Sequence, residues 1–132
     1  MQFNDTQLDA VQQFLQAGNL LAYPTEAVWG IGCDPFNEIA VKQILAIKQR
    51  PIEKGMIVIT GDIAHIQPFL QPLPQQVVDS IAASWQSSDA QATTWLLPIP
   101  ASLQGKIPEW VTGGRDSLAI RVISHPMIAK LC

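Results

Sequence analysis

Apolar residues recur with helical spacing in three stretches of the chain. The first spans residues 8–15, where preceding polar residues offer N-cap oxygens and Gly18 offers a stop. The second follows Asn37, another N-cap candidate, and ends at Pro51, because the residue before proline avoids helical geometry. The third reaches Trp85. The residues that define these helices are the caps Asn4, Asp5 and Thr6, then Leu8, Val11, Phe14, Leu15, Ile39, Val41, Ile44, Leu45, Ile47, Val77, Val78, Ile81 and Ala82.

Short unbroken apolar runs predict buried strands. Residues 20–23 and 56–60 flank the second helix, and this order predicts a right-handed crossover unit of strand, helix and strand. Residues 93–97 and 117–122 predict two further strands. Between them, the Pro- and Gly-rich stretch 98–114 predicts irregular structure. The pattern therefore indicates an α/β protein.

The C-terminal stretch begins a helix and then stops. His125 and Pro126 are typical of a helix entrance, but the chain ends at Cys132 after fewer than two turns. Because so short a helix has little stability of its own, we expect the chain to be a fragment or a naturally shortened relative.

Composition limits the class of protein. A chain of 132 residues with 48% hydrophobic content can form one domain with a core, residues 1–132. A net charge of −3 argues against a surface coated with charge for nucleic acid. Cys33 and Cys132 have no Cys or His neighbours at metal-ligand spacing, which favours a reducing, cytosolic setting. No signal peptide and no apolar run of about 20 residues is present, so we expect neither export nor membrane insertion.

Two polar segments could form a site. Thr25 and Glu26 leave the strand at 20–23, and the ends of such strands are where ligands bind in open α/β sheets. We interpret Gly30 and Gly32, just after them, as hinges. The alternative for Thr25 and Glu26 is ordinary hydrogen bonding within a turn.

The second segment concentrates positive charge. Lys48, Arg50 and Lys54 lie within seven residues, next to Pro51, and carry almost half of the eight basic side chains. A planar guanidinium beside a point charge suits a phosphate. The alternative is that these cations only stabilise the negative end of the preceding helix dipole.

Other candidates are weaker. The Thr94 hydroxyl could reach the same cleft, although β-propensity explains a threonine there equally well. Ser117 and Arg121 lie four apart on one strand, so they share a face, as site residues or as a simple surface pair. The four tryptophans are interpreted as core or cleft wall. The chain has no GxxxxGK[ST], GxGxxG, GxSxG or HExxH motif.

Three motifs in order carry a family resemblance. YPTEAVWGIGCDP, KQRPIEKG before an apolar strand, and DSLAIRV before HP resemble the YrdC/TsaC family of threonylcarbamoyl-AMP synthases, from about Leu20 to Cys132. The resemblance implies a single YrdC-type domain, a twisted mixed sheet with flanking helices around a cationic cleft, in a cytoplasmic protein. We expect that domain to be incomplete at its C-terminus.

The resemblance also implies an activity, in which L-threonine, bicarbonate and ATP yield threonylcarbamoyl-AMP and pyrophosphate for adenosine 37 of tRNAs that read ANN codons. ATP would arrive with Mg²⁺, and no tightly bound cofactor and no protein-bound metal is expected. The partners implied are proteins of the tRNA threonylcarbamoylation pathway and, for direct contact, tRNA or double-stranded RNA. The implied residues are Lys48 and Arg50 for catalysis and nucleotide phosphates, Lys54 and Thr94 for nucleotide, and Thr25 and Arg121 for threonine.

Two departures from the family pattern motivate a rival hypothesis beside the leading one, a threonylcarbamoyl-AMP synthase. The family's Trp-Pro-Gly-Pro turn is replaced by a longer segment, Trp85-Gln86-Ser87-Ser88-Asp89, so the 86–92 loop is remodelled and more acidic. The family's Ser-x-Asn motif would lie beyond Cys132. The rival is a non-catalytic RNA- or nucleotide-binding module that uses the same cleft.

Overall fold

The strands form two separate sheets in the computed structural model. In the larger, mixed sheet, β3 (Ile57–Thr60) is parallel to β5 (Ser117–Val122), and β4 (Trp95–Pro98) lies antiparallel on the other side of β5. The smaller sheet is an antiparallel pair, β1 (Leu21–Tyr23) and β2 (Gly30–Gly32). The sequence predicted four of these five strands, and β2 was missed.

The structure describes residues 1–25, 27–86 and 92–132. The predictions for Glu26 and for residues 87–91 of the remodelled loop lie outside the described residues. Six helices form in the described part, so the predicted α/β class with flanking helices is confirmed. They are α1 (Leu8–Gln16), α2 (Glu38–Ile47), α3 (Gln67–Leu70), α4 (Gln75–Gln86), α5 (Glu109–Thr112) and α6 (Pro126–Leu131).

The predicted crossover unit is wrong. It required the strands on either side of α2 to lie parallel in one sheet, but β1 pairs with β2, whereas β3 pairs with β5. Burial alone could not reveal this, since an apolar run fits any partner strand. The stretch 98–114, predicted to be irregular, contains α5 and a 3-10 turn at Ala101–Leu103.

Helix ends follow local chemistry. Asn37 caps α2 by accepting a hydrogen bond from the Ala40 N–H at 3.0 Å, and the His125 Nδ1 accepts from the Met127 N–H at 3.3 Å at the start of α6. The predicted caps of α1 are wrong, because Gln7 precedes that helix without a side-chain cap. The Asn4 side chain instead accepts from Thr6 in the preceding turn.

The larger sheet has two unequal faces. Leu118 and Ile120 point into the core, where they are 4% and 1% exposed and pack with α3, α4 and α5. Residues on the opposite face alternate with them and include Arg121, with Ile59 as its partner on β3. Ile57, on that same face, is half exposed. This second face is where the candidate site lies.

Candidate functional site

A cleft of about 630 Å³ lies between the hairpin β1–β2, the end of α2 and the second face of the sheet. Thr25, Lys48, Arg50 and Arg121 are all among its lining residues. The structure thus brings together four of the six predicted site residues from three separate segments: the turn after β1, the end of α2 and strand β5. Within the described residues, Lys54 and Thr94 are exposed and do not line this cleft, so their nucleotide-binding roles stay predictions.

The Thr25 hydroxyl organises the turn that follows β1. Its Oγ1 donates to the Val28 carbonyl at 2.6 Å and accepts from the N–H groups of Ala27 and Val28 at 3.1 and 3.2 Å. The turn hydrogen bonding offered as the alternative from sequence is therefore present. The hydroxyl thus uses its one proton and both lone pairs within the turn, so a ligand that hydrogen-bonds to Thr25 would have to replace one of these three bonds.

The two cations sit on a well-defined helix end. After α2 the chain takes up a left-handed residue at Gln49, with φ of 49°, and the N–H groups of Gln49 and Arg50 donate to the carbonyls of Ala46 and Leu45. This is a Schellman motif, usually built on glycine. The helix therefore ends through this motif before Pro51 is reached. Lys48 and Arg50 leave the helix on either side of the left-handed residue.

Arg50 also braces the loop that follows. Its Nε donates to the Gly55 carbonyl at 2.9 Å and its Nη2 lies 3.4 Å from the Lys54 carbonyl. Gly55 has φ of 68° and lies against α5, where an added Cβ would come within 3.0 Å of the Thr112 carbonyl oxygen. The guanidinium is therefore oriented by backbone acceptors before any anion binds, which reduces the entropy lost on binding.

Charge in the described lining is mostly positive. Lys48, Arg50 and Arg121 face the cleft, and Asp34 is the acidic side chain among the described lining residues. The predicted cationic cleft stays a prediction, since Glu26 lies outside the described residues. No group of three or more His, Cys, Asp or Glu side chains is arranged to hold a metal ion within residues 1–25, 27–86 and 92–132.

Both cysteines line the cleft, and neither is poised as a nucleophile. Burial, with a smaller contribution from Asp34, raises the pKa of the Cys33 thiol to about 11. Burial also raises the pKa of Cys132, against the lowering effect of a hydrogen bond with the Gly61 backbone. Because the thiolate is the reactive form, the raised pKa makes both thiols less reactive at neutral pH than ordinary cysteines.

Sequence reasoning missed the contact between Tyr23 and the two glycines. Cβ atoms added to Gly30 and Gly32 would lie 2.9 and 2.8 Å from ring carbons of Tyr23, so the ring covers the β2 backbone. The interpretation of these glycines as hinges is wrong, because both are paired strand residues outside the left-handed region. The signal available in the sequence was the pair of glycines at alternate positions, because glycine inside a strand often marks a close approach by another group.

The tryptophans divide as predicted between core and cleft wall. Trp85 is buried, and its Nε1 donates to the Thr93 carbonyl at 2.8 Å. The indole of Trp95 donates to the Ser84 hydroxyl at 2.8 Å, and that of Trp110 donates to the Pro35 carbonyl at 3.0 Å. Trp29 lies at the cleft wall and is 72% exposed.

Comparison with known proteins adds to this geometry. Residues 13–132 match the model of the family Sua5_yciO_yrdC, described as telomere recombination. A protein of Psychrobacter cryohalolentis named threonylcarbamoyl-AMP synthase is 53% identical over 124 residues, covering 90% of this chain and 58% of that protein. One of the same name from Acinetobacter baylyi is 49% identical, covering 89% of this chain and 61% of that protein. The chain thus spans about three fifths of the length of these relatives.

Solved structures show the same fold. Sua5 of P. abyssi, in a structure described as complexed with L-threonine, superposes with a TM-score of 0.76 at 26% identity, covering 99% of this chain and 36% of that chain. YciO of E. coli superposes with a TM-score of 0.75 at 16% identity, covering 98% of this chain and 59% of that one. The predicted YrdC-type fold is confirmed.

Proposed function

Because this chain belongs to the Sua5/YciO/YrdC family, we propose that it takes part in the synthesis of threonylcarbamoyl-AMP from L-threonine, bicarbonate and ATP, with release of pyrophosphate. The observation that carries the proposal is the meeting of Thr25, Lys48, Arg50 and Arg121 on one cleft. The names of relatives 49% and 53% identical to this chain support it.

The chemistry needs positioning and charge neutralisation more than a covalent nucleophile. The amine of threonine takes up bicarbonate carbon as a carbamate, with loss of water, and a carbamate oxygen then attacks the α-phosphorus in line as pyrophosphate leaves. Negative charge accumulates on the phosphates during this step. Lys48 and the pre-oriented Arg50 are the described residues suited to neutralise it, together with the Mg²⁺ that accompanies ATP.

Threonine would occupy the part of the cleft near Thr25 and Arg121. A guanidinium on the sheet face matches the substrate carboxylate, and the Thr25 oxygen would accept a hydrogen bond from the amine or hydroxyl in place of one of the two turn N–H groups. The threonine complex of P. abyssi Sua5, at 26% identity, supports a threonine site in this fold. Lys54 and Thr94 remain proposed on the nucleotide side, where they would require a substrate that extends beyond the cleft lining.

The product would serve tRNA modification at adenosine 37, in the cytoplasm, with the other proteins of the threonylcarbamoylation pathway as partners. Direct contact with tRNA or double-stranded RNA is part of the same proposal. None of the helices in the described part of the chain combines the length and apolar character that a membrane span requires.

Pyrophosphate release tests the proposal. The purified chain is assayed with ATP and Mg²⁺, with and without threonine and bicarbonate, alongside Lys48→Ala, Arg50→Ala and the control Lys106→Ala, an exposed lysine outside the described cleft lining. We expect release that requires both threonine and bicarbonate and falls by about 100-fold or more in the first two variants. Retention of full turnover by either would contradict the assignment of that cation.

The rival binding module predicts a different result. It expects RNA affinity that falls steeply with salt, without release of pyrophosphate in response to threonine. Such a result would overturn the synthase proposal for this chain.

A further inference from the structure

The ring of Tyr23 lies in a slot that only glycine can form. Tyr23 faces Gly30 across the β1–β2 pair, and Gly32 is the next residue on the same face of β2. An added Cβ at Gly30 would lie 2.9 Å from Cε2 and 3.1 Å from the hydroxyl, and one at Gly32 would lie 2.8 Å from Cε1. The phenol ring thus rests on backbone at both positions.

The backbone itself does not require glycine there. Neither Gly30 nor Gly32 has a positive φ, so alanine fits the backbone of both positions, and strands usually tolerate alanine better than glycine. The obstacle to a side chain is therefore the Tyr23 ring. This arrangement makes a specific prediction: the cost of a methyl group at Gly32 depends on which side chain stands at 23.

We infer that Tyr23 is a positioning residue of the cleft, whose ring, seated on Gly30 and Gly32, fixes the end of β1 and hence the turn held by Thr25. Only Pro24 separates the seated ring from Thr25, and proline transmits displacement because its φ is fixed. Tyr23 and Thr25 both line the cleft. The part of this inference that concerns threonine rests on the proposed function.

Electrostatics agree with this placement. Burial raises the pKa of the Tyr23 phenol, the Cys132 and Cys33 thiols raise it further, and the Arg121 guanidinium lowers it. The phenol therefore lies near Arg121 as well as near the hairpin. Because Tyr23, Thr25 and Arg121 all line the cleft, a ring displaced from its slot would change the cleft in which the proposed substrate would bind.

The experiment is a double-mutant cycle of Gly32→Ala, Tyr23→Leu and the double variant, with Tyr23→Phe as the conservative variant. Two measurements are made on each. The amide resonances of Ala27 and Val28 report the turn directly, because both N–H groups donate to the Thr25 hydroxyl. Steady-state kinetics give KM for threonine and for ATP separately.

We expect Gly32→Ala to shift both amide resonances and to raise KM for threonine by about tenfold, with KM for ATP changed less than twofold. Tyr23→Phe keeps the ring and should keep the wild-type resonances. The double variant should be closer to wild type than additivity predicts, because leucine leaves room for the new methyl group.

Additive effects, or Ala27 and Val28 amides unmoved by Gly32→Ala, would overturn the inference. Equal rises in both KM values would mean a general loss of structure and would also overturn it. If the wild-type chain shows no threonine-dependent turnover, the proposed function fails, but the resonances still decide whether Tyr23 positions the turn.

Discussion

Replacement of Gly61 by alanine should push α6 away from the sheet and lower the stability of the protein. Gly61 follows β3 directly, and its Cα lies against the backbone of α6. An added Cβ would overlap the Ala129 Cα and approach the Ala129 nitrogen to 2.6 Å, where ordinary contact begins at 3.4 Å. The helix would have to retreat by about 1 Å, because protein interiors leave no spare space for a methyl group.

The magnitude follows from what α6 buries. Ile128 is 0% exposed and contributes to the core beneath the cleft. Overpacking typically lowers the free energy of unfolding by about 1–3 kcal/mol. The atoms in the way here are backbone atoms of Ala129, which cannot rotate away. We therefore expect a loss of about 3 kcal/mol, the upper end of that range. For a chain of this size that corresponds to a fall in Tm of roughly 10 °C.

Thermal unfolding by circular dichroism measures the effect, with two further variants. Gly105→Ala is the matched control, because an added Cβ there meets nothing within 4 Å and only a φ of 73° is strained, which costs about 1 kcal/mol. Ala129→Gly should fail to rescue Gly61→Ala, since the overlapping atoms of Ala129 are backbone. A Gly61→Ala chain as stable as Gly105→Ala, or one rescued by Ala129→Gly, would refute the reasoning.

Two other predictions concern the helix end and the thiol. Gln49→Gly should raise the free energy of unfolding, measured in urea, by about 0.5–1 kcal/mol, because glycine relieves the left-handed strain at φ of 49°. Gln49→Ala should bring no such gain. Equal stabilities of the two variants would contradict the Schellman assignment. In a Cys132→Ser background, iodoacetamide should modify Cys33 at pH 8 about 100-fold more slowly in the folded than in the unfolded chain. The reason is that a pKa of about 11, against 9.0, keeps the Cys33 thiol protonated. Equal rates in the folded and unfolded chains would contradict the burial of the Cys33 thiol. The same shift contributes stability below about pH 9 that is lost as pH rises toward 11.

The three longest helices, α1, α2 and α4, were predictable because their signals are local. Asn37 stands three residues before the amide that it caps, and Gly18 takes the left-handed conformation that ends α1, with φ of 84°. Both effects act within one turn of helix, so the sequence contains all the information that they need. The cap predicted for α1 was wrong because Asn4, Asp5 and Thr6 are three adjacent cap candidates, and local sequence does not decide among them. In the structure the Asn4 side chain accepts from Thr6 instead.

Strand pairing was not predictable, because it depends on residues far apart in the sequence. β1 has the apolar character of a central strand but pairs with β2, a three-residue segment that contains two glycines and carries little β-propensity. The two glycines at alternate positions were a signal of close approach, but they were interpreted as hinges because the sequence does not show which ring would approach them. The bond from Arg50 to the Gly55 carbonyl, although only five residues away, was not foreseen either.

The amino-acid sequence alone was enough to name the residue types available to the site and to place the three longest helices, α1, α2 and α4. Thr25, Lys48, Arg50 and Arg121 could be named as candidates from their positions next to predicted strands and helix ends. That these four line one cleft, while Lys54 and Thr94 lie outside it, depends on how β1 and α2 pack against the sheet, which no local pattern specifies. Local free energies specify elements, whereas contacts between distant segments place their side chains together.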